Sequence, residues 1–270
     1  PPEIYTLSLH DALPISAEKG DLLAATAWNG VAILPGQAAH ADILRRKAAL
    51  RRTLTFGTDA ADDVRVDYRG EEGGRFVLDL TWRGDSRTGT LRWGIGGAHQ
   101  ALNAAAAAAA GTAAGLAPEE IMAGLAACRL PAMRMAVACV DGVHWVNDAY
   151  NANPDSMRAG VLWFREVAAA AAPEDRLLVL GDMLEMGAHG PESHVDLLRW
   201  AAAEMPGAAI LAVGPLMSAA AARLGLASHP DAAAAATAVR ARLRPGLWVF
   251  LKGSRSMRLE QIDPTAEVHA

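Results

Sequence analysis

Apolar runs of a few residues alternate with longer, alanine-rich stretches along most of this chain. The runs hold Val, Ile, Leu and Trp between turn residues and read as strands, and the alanine-rich stretches read as helices. From Ala17 the pattern predicts a helix over 18–27, a strand Val31–Leu34, a helix over 39–50 and a strand Thr53–Phe56. Three strand-like stretches follow, Asp63–Tyr68, Arg75–Trp82 and Thr88–Trp93. Gly70, Gly73, Gly74 and Gly84 punctuate them, which predicts an antiparallel meander. Gly96-Gly97-Ala98-His99 opens a long alanine helix to about Ala114, and Pro118 opens another that ends at Ala127.

A domain boundary is expected near Leu130-Pro131. Beyond it, strands over 135–140 and 143–146 flank Asp141-Gly142, a hairpin turn signal. Strict alternation then resumes, with helices over 154–170, 191–203, 216–224, 232–243 and 256–261, and strands over 177–180, 209–213 and 247–251. This second part is predicted to be a doubly wound α/β domain.

Three polar clusters each follow one of its apolar runs: Asn147-Asp148-Ala149-Tyr150-Asn151-Ala152-Asn153-Pro154, Gly181-Asp182-Met183, and Lys252-Gly253-Ser254-Arg255-Ser256. Ligands of parallel α/β sheets bind outside the carboxyl ends of strands. Three such ends bearing Asp, Asn, Lys, Ser and Arg predict one polar cleft.

Composition narrows the classes. A chain of 270 residues, 52% hydrophobic, can form one large domain or two ordinary ones. The net charge of −5 argues against a nucleic-acid partner. Cys128 and Cys139 are too few for a disulfide framework, and reduced thiols in a cytoplasmic protein are expected. No strongly apolar stretch reaches the ~18 residues of a membrane span. Pro1–Ser16 lacks the charged and apolar regions of a signal peptide. It resembles translated sequencing-adapter sequence, so it is set aside as a non-native leader, and the natural chain is expected to begin upstream.

Each cluster also has a plainer reading. Asn153-Pro154 is a helix start, with Asn as cap and Pro in the first turn. That does not account for Asp148, Tyr150 and Asn151, which suit hydrogen bonding to a ribose and a substrate. Asp182 fits either a turn cap or a cleft carboxylate. Lys252-Gly253-Ser254-Arg255-Ser256 fits an anion site at a helix N-terminus or a serine cap with solvated charges. His99 and Asn103, four residues apart, share one helix face, and a lone histidine there is more often a cap or a core residue. Glu185, His189 and His194 match no compact metal spacing, and a solvated loop is expected for them. No Gly-x-Gly-x-x-Gly follows a strand, which weighs against a dinucleotide oxidoreductase.

At these clusters the chain resembles the Mur ligases. The resemblance rests on Asn147–Met157 (NDAYNANPDSM), Val179–Gly187 (VLGDMLEMG) and Leu251–Met257 (LKGSRSM), in that order. Gly97–Ala104 is similar to the family's Gly-x-His-x-x-x-Asn-Ala segment, and Pro131-Ala132-Met133-Arg134 to its Pro-x-x-Arg. The resemblance implies that residues 17–130 are the second half of a central ATP-binding domain and residues 131–270 a C-terminal ligase domain, Rossmann-like in fold. It further implies a cytoplasmic, monomeric, ATP- and Mg2+-dependent ligase of peptidoglycan synthesis. Such an enzyme activates UDP-MurNAc-tripeptide as an acyl phosphate, which the amine of D-Ala-D-Ala attacks. Ligation of a different amine, and a nucleotide- or substrate-binding module without catalysis, remain the alternatives.

The implied roles run residue by residue. Asn103 would contact adenine, with His99 nearby. Arg134 and Asp148 would hold the nucleotide, Asp148 at the ribose. Tyr150, Asn151, Asn153, Asp182, Lys252, Ser254 and Arg255 would line the side where the amine arrives, with Lys252 taken as catalytic. Ala17-Glu18-Lys19-Gly20-Asp21 resembles the segment whose lysine is carbamylated, so Lys19 would be catalytic and a metal ligand. A carbamate supplies the anionic oxygens that a hard ion prefers. No Gly-x4-Gly-Lys-Ser/Thr loop occurs in these 270 residues, so the chain alone is expected to be inactive as a ligase.

Overall fold

The computed structural model describes residues 20–264, apart from positions 26, 28, 39, 50, 85 and 132. The chain divides into two compact units between Cys128 and Arg129.

In the first unit, residues 20–25 are helical. The sheet runs β1 (Val31–Pro35), β2 (Arg52–Gly57), β3 (Val64–Glu72), β4 (Arg75–Trp82) and β5 (Arg87–Trp93), side by side in that order. The β1–β2 and β2–β3 pairs are parallel, and β3–β4–β5 is the expected antiparallel meander. Strand β3 runs past the expected end at Tyr68 because the glycine there makes a bulge, not a stop. The register shifts between Tyr68 and Gly70, and Gly70 takes φ 89°. Helix α1 (Ala41–Lys47) is shorter than expected, since His40 sits in the left-handed region at φ 61° and cannot extend it backwards. Helices α2 (Ala98–Ala113) and α3 (Pro118–Ala127) follow, with alanines 101, 104, 105, 108 and 109 of α2 buried. Alanine lets a helix lie close to a sheet at little side-chain entropy cost.

The second unit is a six-stranded sheet ordered β10-β9-β8-β11-β7-β6. Its strands are β6 (Ala136–Val140), β7 (Val143–Asn147), β8 (Arg176–Gly181), β9 (Ala209–Val213), β10 (Ala227–His229) and β11 (Trp248–Lys252). All neighbours are parallel except the β6–β7 hairpin. Its turn residues Asp141 and Gly142 both have positive φ, 51° and 77°, as a primed hairpin turn requires. Helices α4 (Pro154–Val167), α5 (Gly190–Glu204), α6 (Pro215–Leu224) and α7 (Ala232–Arg240) link the strands. Alternate residues of the strands enter opposite cores. Trp145, Leu177, Val179, Val249 and Leu251 pack with α7 and with Leu259 and Ile262. On the other face Phe250 stacks on Phe164 of α4, ring centroids 5.2 Å apart. One strand here is unanticipated and one expectation fails. Strand β10 is a three-residue edge strand with no apolar signal. The expected helix over 256–261 is two single turns, Arg255–Met257 and Leu259–Ile262, broken by Arg258 at φ 51°.

Candidate functional site

The sheet order brings the three polar clusters together, because β11, last in sequence, inserts between β8 and β7. Leu251 pairs with Asn147, and the Asp148 amide donates to the Leu251 carbonyl at 2.9 Å. Asp148 and Lys252 therefore leave adjacent strands on the same face. The Lys252 ammonium donates to Asp148 Oδ2 at 2.6 Å, to the Asn151 carbonyl at 3.2 Å and to the Asp148 carbonyl at 3.5 Å. The side chains are 4% and 13% exposed, so this is a nearly buried ion pair. Burial pushes the Asp148 carboxyl above its ordinary range, against the opposing pull of Lys252, the Met135 amide and Arg134.

Helix α4 comes close enough to seal the pair because it presents Gly160. A Cβ there would lie 2.9 Å from Phe250 Cζ, 3.0 Å from Lys252 Cδ and 3.3 Å from Asp148 Oδ2. Asn153 starts that helix as a capping box, its Oδ1 accepting from the Ser156 amide at 2.8 Å while Ser156 Oγ accepts from the Asn153 amide at 3.0 Å. The other arm of the loop runs back to the hairpin. Met135 donates its amide to Asp148 Oδ1 at 3.2 Å, and Tyr150 donates its amide to the Met133 carbonyl at 3.2 Å. The Arg134 guanidinium lies over the half-exposed Tyr150 ring, 4.1 Å from its centroid. Asn151 is exposed, and its Oδ1 accepts from the Ala152 amide at 2.8 Å. Arg134, Asp148, Tyr150, Asn151 and Lys252 thus form one connected group.

Asp182 and Ser254 form a second group beside it. Gly181 and Gly253 pack backbone to backbone. A Cβ on Gly253 would sit 3.0 Å from the Gly181 Cα. The Ser254 amide donates to the Asp182 carbonyl at 3.0 Å, and Ser254 Oγ accepts from the Leu184 amide at 2.9 Å. The Asp182 side chain is buried and turned towards α6, whose Leu216 and Met217 amides donate to its two oxygens at 3.2 and 2.7 Å. It supplies the cap that Gly214, at the start of α6, has no side chain to give. Arg255 reaches the surface and is paired with Glu260.

His194 corrects the expectation of a solvated loop: it lies in α5 and is fully buried. Its Nε2 accepts from the Met183 amide at 2.9 Å and its Nδ1 lies 2.6 Å from the Gly190 carbonyl, which fixes a neutral imidazole with the proton on Nδ1. Asn147 and Asp263 form a further buried contact, the Asn147 amide donating at 2.9 Å. Neither Gly160 nor Asp263 carries a signal in its own sequence neighbourhood.

His99 and Asn103 lie in the first unit on the first turns of α2, where Asn103 donates to Gln100 Oε1 at 3.0 Å. Lys19 lies outside the described residues. Among the described residues no three His, Cys, Asp or Glu side chains converge to hold a metal ion.

Residues 133–255 match the family model of the Mur ligase, glutamate ligase domain. The UDP-N-acetylmuramoyl-tripeptide–D-alanyl-D-alanine ligase of Bacillus subtilis is 36% identical over 139 residues, 50% of this chain and 28% of the relative. The ligase of the same name from Treponema pallidum is 32% identical over 208 residues, 72% of this chain and 44% of the relative. Among solved structures, MurF from Acinetobacter baumannii superposes with a TM-score of 0.79 at 26% identity, over 90% of this chain and 53% of that one. The chain spans about half, or less, of the length of these relatives. The second unit, which holds all three strand-end clusters, is thus a Mur ligase C-terminal domain.

Proposed function

We propose that this chain carries the nucleotide- and amine-binding part of an ATP-dependent ligase that joins D-Ala-D-Ala to UDP-MurNAc-tripeptide. The observation that carries this reading is the convergence of the three clusters on adjacent strand ends, with Asp148 and Lys252 in contact. Relatives named for that activity share the domain at 32–36% identity. The Asp148 carboxylate retains acceptor capacity for a ribose diol. An exposed, stacked guanidinium at Arg134 suits a nucleotide phosphate. Tyr150 and Arg255 are both exposed, which suits contact with an incoming dipeptide. His99 and Asn103 keep the adenine role that the family resemblance implies. In that reaction ATP supplies the phosphoryl group that activates the carboxylate. The residues here bind and orient the nucleotide and the amine, and no step is assigned to Mg2+ or to Lys19.

The 270 residues contain no Gly-x4-Gly-Lys-Ser/Thr loop, and this favours a second reading, in which the chain alone binds its ligands without ligating them. Calorimetry with ATP and with D-Ala-D-Ala tests both. Binding of each, with Asp148→Ala removing the ATP signal, supports the shared part. A chain that binds neither overturns both readings. Ligation of D-Ala-D-Ala to the UDP-tripeptide by the chain alone overturns the second.

A further inference from the structure

We propose that Lys252 is a positioning residue that never touches substrate: a cationic clip that fixes the Asp148 carboxylate and the Asn147–Asn153 loop. The ammonium has three protons and three acceptors, namely Asp148 Oδ2, the Asp148 carbonyl and the Asn151 carbonyl. With the side chain 4% exposed and Gly160 of α4 packed over its methylenes, neither a free proton nor an open approach remains for a ligand. The clip acts on both ends of the loop. It draws two carbonyls inward, and with the Met135 amide on Oδ1 it sets the plane of the Asp148 carboxylate. Each carboxylate oxygen then has one protein donor and one lone pair left over, which suits two neighbouring hydroxyls better than an unfixed carboxylate would.

This inference deepens the nucleotide reading and rests on it for the ligand, but the clip itself is testable without any ligand. The chain has three lysines, Lys19, Lys47 and Lys252. Reductive methylation of the folded full chain, followed by peptide mass spectrometry, is expected to modify Lys47, whose side chain is 39% exposed, and to spare Lys252. Methylation of Lys252 at the rate of Lys47 overturns the proposal. The second arm measures ADP binding by calorimetry across pH for the unsubstituted chain, Lys252→Met and Lys252→Gln. Loss of the clip is expected to weaken ADP roughly tenfold, the scale on which partners that orient a ligating group act. It is also expected to move the acid limb of binding to higher pH, because Asp148 loses the cation that favours its charged form. A variant that folds and binds ADP with unchanged affinity and pH profile overturns the positioning role. A protected Lys252 in a chain that binds no ADP at all supports the clip and sinks the nucleotide reading.

Discussion

At the scale of single residues, the Asp148–Lys252 pair and Gly160 dominate. A buried pair broken from one side leaves an uncompensated charge, whereas replacing both partners by neutral groups of similar shape is far milder. Lys252→Met is therefore expected to lose about 3–5 kcal/mol of stability, and Asp148→Asn combined with Lys252→Met clearly less, by urea unfolding. A double variant as unstable as Lys252→Met alone would contradict this. Gly160→Ala forces a methyl against Phe250, Lys252 and Asp148 and is expected to cost about 1–3 kcal/mol. Alanine is otherwise the better helix residue, so a stabilised Gly160→Ala would show that α4 does not approach the pair as described. Because burial raises the Asp148 carboxyl, the native state keeps a proton over a pH window in which the unfolded chain has released it. The Asp148 contribution to stability thus falls as pH rises from the ordinary carboxylate value, about 3.9, through the raised native one. Asp148→Asn abolishes that slope in denaturation curves taken at successive pH values.

At the scale of elements, caps borrowed from other strands hold the site. Asp182 follows β8 yet caps α6, more than thirty residues on, and Gly214 leaves room for it at φ 107°. Asp182→Ala removes a cap and strands two amides. It is expected to cost about 1–3 kcal/mol and to speed hydrogen exchange at Leu216 and Met217, with unchanged exchange there counting against the cap. Most elements are legible in the sequence because their apolar period is local. Strand β4 and the Asp141-Gly142 hairpin lie where pattern and turn chemistry put them. The errors fall where a local signal is ambiguous or silent. Gly70 carries the signal of a strand end but forms a bulge, and β10 has only its pairing with β9 to define it.

At the scale of the whole molecule, the break between Cys128 and Arg129 and the separate sheets make the second unit a self-contained body. Residues 129–264 expressed alone are expected to unfold in one cooperative transition with native near-ultraviolet dichroism. A fragment that shows helical signal but no fixed aromatic environment would refute this.

Sequence alone determined the alternation of elements, the identity of the three polar clusters and their position at strand ends, because these depend on local periodicity and turn residues. It also determined the family resemblance, since the motifs are contiguous. Tertiary structure alone decided how the polar residues divide their work. Lys252 and Asp148 are 104 residues apart and meet because β11 inserts beside β7, a choice of strand order that no local pattern encodes. The pairing of β8 with β9 sets Asp182 against the start of α6, and Arg134 and Tyr150 stay at the surface. Which polar group is consumed by the protein and which stays available to a ligand depends on long-range packing, and that is fixed only when the sheet is assembled.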